Sequence, residues 1–173
     1  MSDLEQRPLL ATIEEEDTDP APTSPDAPRG LIELWYSLVG LRWATLVVVT
    51  PGDAARGWWL AQALVAVPGR EPPLFKALNL VGATSARIAA VSHALAPKKL
   101  NVSRDRTRFV VAADDPLAEP GALGVLSTCD AILLLVERGR TRIQDAQRIL
   151  KLVGRERFIG VVLDRRSGLR RPR

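Results

Sequence analysis

RFVVAADDPL (residues 108–117), CDAILLLVERG (129–139) and RFIGVVLDRR (157–166) carry the reading that decides the fold. The runs Phe109–Ala113, Ala131–Val136 and Phe158–Leu163 are almost purely apolar and rich in Val, Ile and Leu. Each is about six residues long, the usual length of a strand buried on both faces of a parallel sheet. Between the second and third runs, Ile143, Ala146, Ile149, Leu150 and Val153 recur at the spacing of one helical face. Thr141 with Gln144 fits a capping box at the start of that helix. Strand, crossover helix, strand is the unit of a mostly parallel α/β sheet flanked by helices.

Working outward, the 173-residue chain is long enough for one domain with a substantial core plus extensions. Its single Cys129 excludes an intrachain disulfide framework and fits a reducing compartment. The thiol reads as a small buried hydrophobe beside Asp130. With His93 as the sole histidine, a multi-histidine metal site is excluded, and the residue reads as a surface or satisfied histidine. The apolar runs are too short to span a bilayer, and the N-terminus lacks a basic start followed by an apolar core. A cytoplasmic location is expected. The formal charge of +4 is unevenly spread, with about −6 in residues 1–29 and the positive excess in the remainder.

Residues 1–29, with EEEDTD followed by PAPTSPDAP, cannot bury enough apolar surface to offset their ordering entropy and read as a disordered acidic tail. A short apolar element lies within it at residues 9–13. The α/β domain is expected over 30–166 and a basic tail over 167–173. LIELWYSLVGLRW (31–43) reads as a helix packed on the sheet through Leu31, Leu34, Trp35, Leu38 and Leu41. Thr45–Thr50 is the expected first strand, Asp53–Gly57 a loop, and the WWLAQALVAV run that follows a helix. PGREPP (68–73) reads as a loop, Leu78–Val81 as a short strand, and Ala83–Ala96 as a helix with Ile88, Val91 and Leu95 inward. KKLNVSRDRTR (98–108) reads as a solvated basic loop. RRSGLRRPR (165–173) is a basic coil without aromatic residues, suited to an anionic membrane surface or to solubility; without stacking rings, nucleic acid is disfavoured.

A strand, loop and helix in that order place a helix N-terminus where an anion is favoured. Phosphate loops use glycines to curl round the phosphate, a Lys to neutralise it and Ser or Thr to hold magnesium. TPGDAARGWWLAQAL (50–64) has no Lys, carries indoles at the hydroxyl positions and adds Asp53.

The series Asp114-Asp115-Pro116 closing a strand, Asp130 opening the next, Thr141 ahead of a helix, and GVVLDR (160–165) closing the last strand is similar to a known arrangement. It resembles the C-terminal half of bacterial tyrosine kinases of the capsule and exopolysaccharide type, deviant P-loop proteins related to the MinD/ParA ATPases. The resemblance covers residues 31–166, most strongly after Arg108. It implies a three-layer P-loop NTPase-like fold, with Asp114 at the magnesium position. It also exposes departures. Gly57 falls where the family has its catalytic Lys, Arg56 where it has the preceding Gly, and Trp58 and Trp59 where it has Ser or Thr. Leu117 replaces the second Pro of the Asp-x-Pro-Pro motif, and Asp164 the Asn that helps recognise adenine. The strand carrying a second magnesium Asp is not recognisable between Val67 and Ser85. The tyrosine cluster is missing, Tyr36 being the one tyrosine.

The resemblance with these losses implies a non-catalytic, kinase-like or ATPase-like pseudo-enzyme. It would act as a binding or scaffold module in bacterial surface polysaccharide assembly. Thr50, Asp53, Arg56, Gly57, Trp58, Trp59, Asp114 and Asp164 form the expected vestigial nucleotide site, the two indoles filling or covering the former phosphate position, with no cofactor. Expected partners are an inner-membrane polysaccharide co-polymerase or an active kinase paralogue, with peripheral contact to the inner membrane through the basic tail. Two alternatives stand beside this. One is a divergent ATP-binding kinase or ATPase using Arg56 for Lys and Asp114 on magnesium; the other is a MinD/ParA-like positioning or cytoskeletal adaptor.

Overall fold

The computed structural model describes residues 29–67, 74–95 and 107–164. The expected acidic and basic tails, the PGREPP loop and most of the 98–108 loop lie outside them. Helix α1 (Arg29–Val39) leads to β1 (Thr45–Val49), α2 (Ala54–Ala66), β2 (Leu74–Asn79), α3 (Ser85–Leu95) and β3 (Thr107–Ala113). A 3-10 turn at Pro120–Ala122 and short α4 (Leu123–Thr128) precede β4 (Ala131–Glu137), α5 (Ile143–Val153) and β5 (Phe158–Asp164). The five strands form one all-parallel sheet in the order β2-β3-β1-β4-β5. The expected parallel α/β architecture is therefore present.

Alternation along the central strands divides the core in two. Leu46 and Val48 of β1, with Val110, Ala112, Leu133 and Leu135, face the helices α1 and α2. Val47 and Val49, with Val111, Ile132 and Leu134, face α3, α4 and α5. All five residues of β1 are buried, because it lies in the middle of the sheet under both layers. At about 25 cal/mol per Å² of apolar surface, these doubly covered strands supply the largest share of the folding drive.

Several local expectations need correction. Helix α2 begins at Ala54, so Arg56 and Gly57 sit in its first turn rather than in a loop. The edge strand β2 lies at Leu74–Asn79, earlier than the expected Leu78–Val81; with exposed Lys76 in LFKALN, its pattern is too mixed to read as a buried run. Helix α1 stops at Val39, leaving Leu41 43% exposed, while Trp43 is buried and its indole N–H donates to the Leu38 carbonyl at 2.9 Å. The capping box does not form. Helix α5 begins at Ile143 with Arg142 at the cap and no side-chain cap bond. The Thr141 hydroxyl instead accepts from the Glu137 N–H at 2.9 Å, while the Thr141 N–H donates to the Glu137 carbonyl at 3.0 Å. Ile143 is exposed rather than inward.

The third apolar run also departs from its reading. Along β5, exposure alternates, and Ile159, Val161 and Leu163 are 38%, 59% and 51% exposed. The strand is at the sheet edge, and the covering helices stop short of it.

Candidate functional site

In an all-parallel sheet every strand ends on the same side, and ligands of such sheets bind beyond those carboxyl ends where the strand order reverses. Here the chain leaves β1 toward the β2 edge and later crosses to β4 on the other side, so the reversal lies between β1 and β4. Thr50 and Asp53 follow β1, Asp114 and Asp115 follow β3, and Glu137 and Asp164 end β4 and β5. The sequence thus brings six polar or acidic residues to one rim.

Two of these carboxylates are bound to backbone donors. Asp115 accepts from the Gly52 N–H in the loop after β1 at 2.9 Å, and from the Leu117 N–H at 2.9 Å. Gly52 has φ +79°, the left-handed conformation that glycine adopts without steric cost. Asp114 accepts from the Gly82 N–H after β2 at 2.8 Å. Each carboxylate therefore ties β3 to the loop after a neighbouring strand.

The others share two arginines. Arg56, projecting from the first turn of α2, donates to Asp164 at 2.5 Å and lies 3.8 Å from Glu137. Its guanidinium also stands 5.1 Å from the Trp59 ring centroid, within cation–π range. Arg140, in the turn after β4, reaches Asp53 at 3.3 Å and Glu137 at 3.8 Å. Glu137 and Asp164 are register partners across β4 and β5, so the pairing sets the two acids side by side. Glu137 is only 5% exposed, and its Oε1 has no hydrogen-bond partner. Burial pushes its carboxyl above the ordinary carboxylate range; Asp53 and Asp164 add to this, and Arg56 and Arg140 oppose it.

Gly57 has a packing reason to be glycine. A Cβ there would meet the Thr50 hydroxyl at 3.1 Å and the Val48 side chain at 3.7 Å, because α2 lies close against β1. The Thr50 hydroxyl is fully buried and, like Glu137 Oε1, lacks a partner. Trp58 and Trp59 are half-buried and pack against the apolar cluster under α1 and α2. Of this first turn of α2, Arg56 is the side chain that meets the rim carboxylates.

The remaining expected residues are elsewhere. Asp130 lies at the amino end of the sheet, where it accepts from the N–H groups of Ala44 and Thr45 at 2.8 and 2.9 Å. Cys129 is buried, and burial pushes its thiol up to about 11, so it is not a thiolate at neutral pH. His93 is exposed on α3. Among the described residues no group of three or more His, Cys, Asp and Glu side chains is arranged to hold a metal ion, and no helix is long and apolar enough to cross a membrane.

Sequence reasoning missed Asp115, Glu137 and Arg140. Glu137 had a signal, being an acid directly on the end of the apolar run AILLLV, where a strand buried on both faces leaves a carboxylate half inside. Compared with known proteins, the chain matches no family model, no curated protein and no solved structure.

Proposed function

We propose that this chain is a non-catalytic member of the deviant P-loop kinase and ATPase group, acting as a protein-binding scaffold in bacterial surface polysaccharide assembly. The group and the pathway rest on the resemblance carried by Asp114-Asp115-Pro116, Asp130, Thr141 and GVVLDR. The loss of catalysis rests on one observation, that the chain's own carboxylates hold the groups a phosphate would need. Asp115 holds the Gly52 N–H, and Asp164 and Glu137 hold Arg56.

A triphosphate would have to displace Asp164 from Arg56 while bringing more negative charge beside Glu137 and Asp53. A charge-assisted bond contributes about 1.5–3 kcal/mol, so each displaced contact offsets much of what a phosphate would gain. The residues present fit magnesium poorly as well. Gly57 offers no hydroxyl, the adjoining indoles are half-buried against the core and offer none either, and Asp114 already serves the Gly82 N–H. What remains is a rigid sheet with a charged rim, suited to docking the cytoplasmic part of an inner-membrane co-polymerase or a kinase paralogue.

Titration of the full chain with a fluorescent ATP analogue and magnesium tests the loss of catalysis. No saturable binding is expected at micromolar nucleotide. Micromolar binding abolished by Asp114→Ala would overturn the proposal and make the chain a working ATP-binding protein. Docking is tested by co-purification of the full chain with a membrane co-polymerase or active kinase encoded beside it. Loss of the complex in an Arg140→Glu variant is expected if the rim carries the contact.

A further inference from the structure

The sheet ends in β2 on one side and β5 on the other, and no strand lies beyond either among the described residues. The two edges are guarded differently. Strand β2 carries the exposed Lys76, a charge that discourages a further strand. Strand β5 has one charged side chain, Asp164, which is held by Arg56, while its Val161 and Leu163 are more than half exposed. These two pair in register with Leu134 and Val136, so they lie on the face that α3, α4 and α5 cover over the neighbouring strand. The Asp164 carbonyl accepts from the Arg138 N–H, so the backbone of Asp164 points toward β4. Alternation along the strand then turns the N–H and C=O groups of Val161 and Leu163 outward.

We propose that β5 is the interface between two copies of this chain, paired antiparallel about a twofold axis at Val162 so that the two five-stranded sheets become one. Residues directly opposite in an antiparallel pair share a face of the sheet. The axis therefore sets Val161 of each copy against Leu163 of the other, and each of these pairs exchanges two main-chain hydrogen bonds. On the opposite face Val162 meets its own copy. Gly160, with no side chain, lies opposite Asp164 and the Arg56 that neutralises it. No like charges are opposed over residues 160–164, and the same apolar row serves both partners, as a closed twofold interface requires. An axis at Val161 would instead set Phe158 against Asp164 and carry the pairing into the register shift at the start of β5. The charges at that start, Arg155, Glu156 and Arg157, lie outside the paired span, and Arg157 already donates to the Cys129 carbonyl at 2.7 Å.

Pairing over residues 160–164 covers less than the roughly 800 Å² per partner of a standard complex, so the dimer is weak and forms at high concentration. Because the strands run antiparallel, the two carboxyl-end rims point in opposite directions, and the pair offers two docking sites instead of one. The inference stands on the β5 edge alone, whatever the rim binds.

Sedimentation equilibrium of the full chain, with amide hydrogen exchange on the same samples, tests the pairing. The mass is expected to rise toward twice that of the monomer above roughly 100 μM. The Val161 and Leu163 amides should exchange about tenfold more slowly there than after dilution. The double variant Val161→Lys, Leu163→Lys opposes like charges and should stay monomeric at every concentration, with the circular dichroism of the parent showing that it folds. Val161→Glu with Leu163→Lys sets opposite charges face to face in this register, and should recover the dimer at low salt. A parent chain that remains monomeric throughout overturns the inference. So does a dimer that the two lysines leave intact. Protection of both amides that does not change on dilution also overturns it, because the edge would then be covered by something other than a second copy.

Discussion

The two ends of the sheet use carboxylates differently. At the amino end, Asp130 alone receives the Ala44 and Thr45 N–H groups and fixes β1 beside the start of β4. At the carboxyl end, Asp114 and Asp115 also hold backbone donors, but Asp53, Glu137 and Asp164 crowd round Arg56 and Arg140, with a buried oxygen of Glu137 and the Thr50 hydroxyl unpartnered. The first arrangement satisfies backbone donors that a sheet end leaves over, which stabilises the fold whatever else the chain does. The second keeps charge in a poorly solvated place with incomplete hydrogen bonding, which costs the fold stability. The contrast is a claim about energy, so substitutions can break it.

The largest effect belongs to the amino end. Asp130→Ala removes two charge-assisted bonds and leaves the donors of Ala44 and Thr45, both buried residues, without a partner. The expected loss is about 2–3 kcal/mol in urea unfolding. Asp130→Asn should recover part of it, since an amide oxygen still accepts. A loss below that of any rim variant would mean the amino end is not the stabilising one.

Next comes Arg56→Ala at the carboxyl end. Losing the guanidinium leaves Glu137 and Asp164 facing each other, with an expected cost of about 1–2 kcal/mol at neutral pH. The deficit should shrink as the pH is lowered, because protonating Glu137 removes the repulsion. A deficit that does not vary with pH would show that Arg56 acts through its packing on Trp59.

How much of this was legible depends on burial. The strands β1, β3 and β4 are covered on both faces, so unbroken apolar runs such as AILLLV announce them. Strand β2 is an edge strand carrying Lys76, and its mixed pattern after PGREPP hid it. The same reasoning misplaced β5 in the core, since its composition is that of a buried strand while only one of its faces is packed. At the rim, Asp53, Arg56 and Asp164 were named together from the resemblance, and they do meet in one cluster with Glu137 and Arg140. Asp114 sits apart from it on the Gly82 N–H. The missed Asp115 and Glu137 act through long-range contacts to Gly52 and Arg56, pairs separated by 63 and 81 positions in the chain, which no local spacing encodes.

A smaller effect should come from Glu137→Gln, and its value lies in its pH dependence. Burial raises the folded-state pKa of Glu137 above its unfolded value, so the folded chain binds this proton more tightly. The stabilisation from the protonated form is present below the ordinary glutamate pKa and is lost as pH rises through the folded value. Glutamine mimics the protonated form. The variant should therefore unfold at a Tm close to that of the parent in acid and a few degrees higher at pH 8. A lower Tm at pH 8 would mean that the ionised form is held favourably by Arg56 and Arg140, and the two ends of the sheet would then be alike.

The smallest effect is expected at Thr50, where it sharpens the contrast most. A buried hydroxyl without a partner costs free energy that a methyl of the same shape does not, so Thr50→Val should be neutral or stabilising by up to about 1 kcal/mol. The adjoining Gly57 leaves the pocket tight but does not forbid the change, because valine keeps the branching of threonine. A loss of more than about 1 kcal/mol would show that the hydroxyl bonds to something in solution. The rim would then be occupied, and the search for its ligand would start between Thr50 and Glu137.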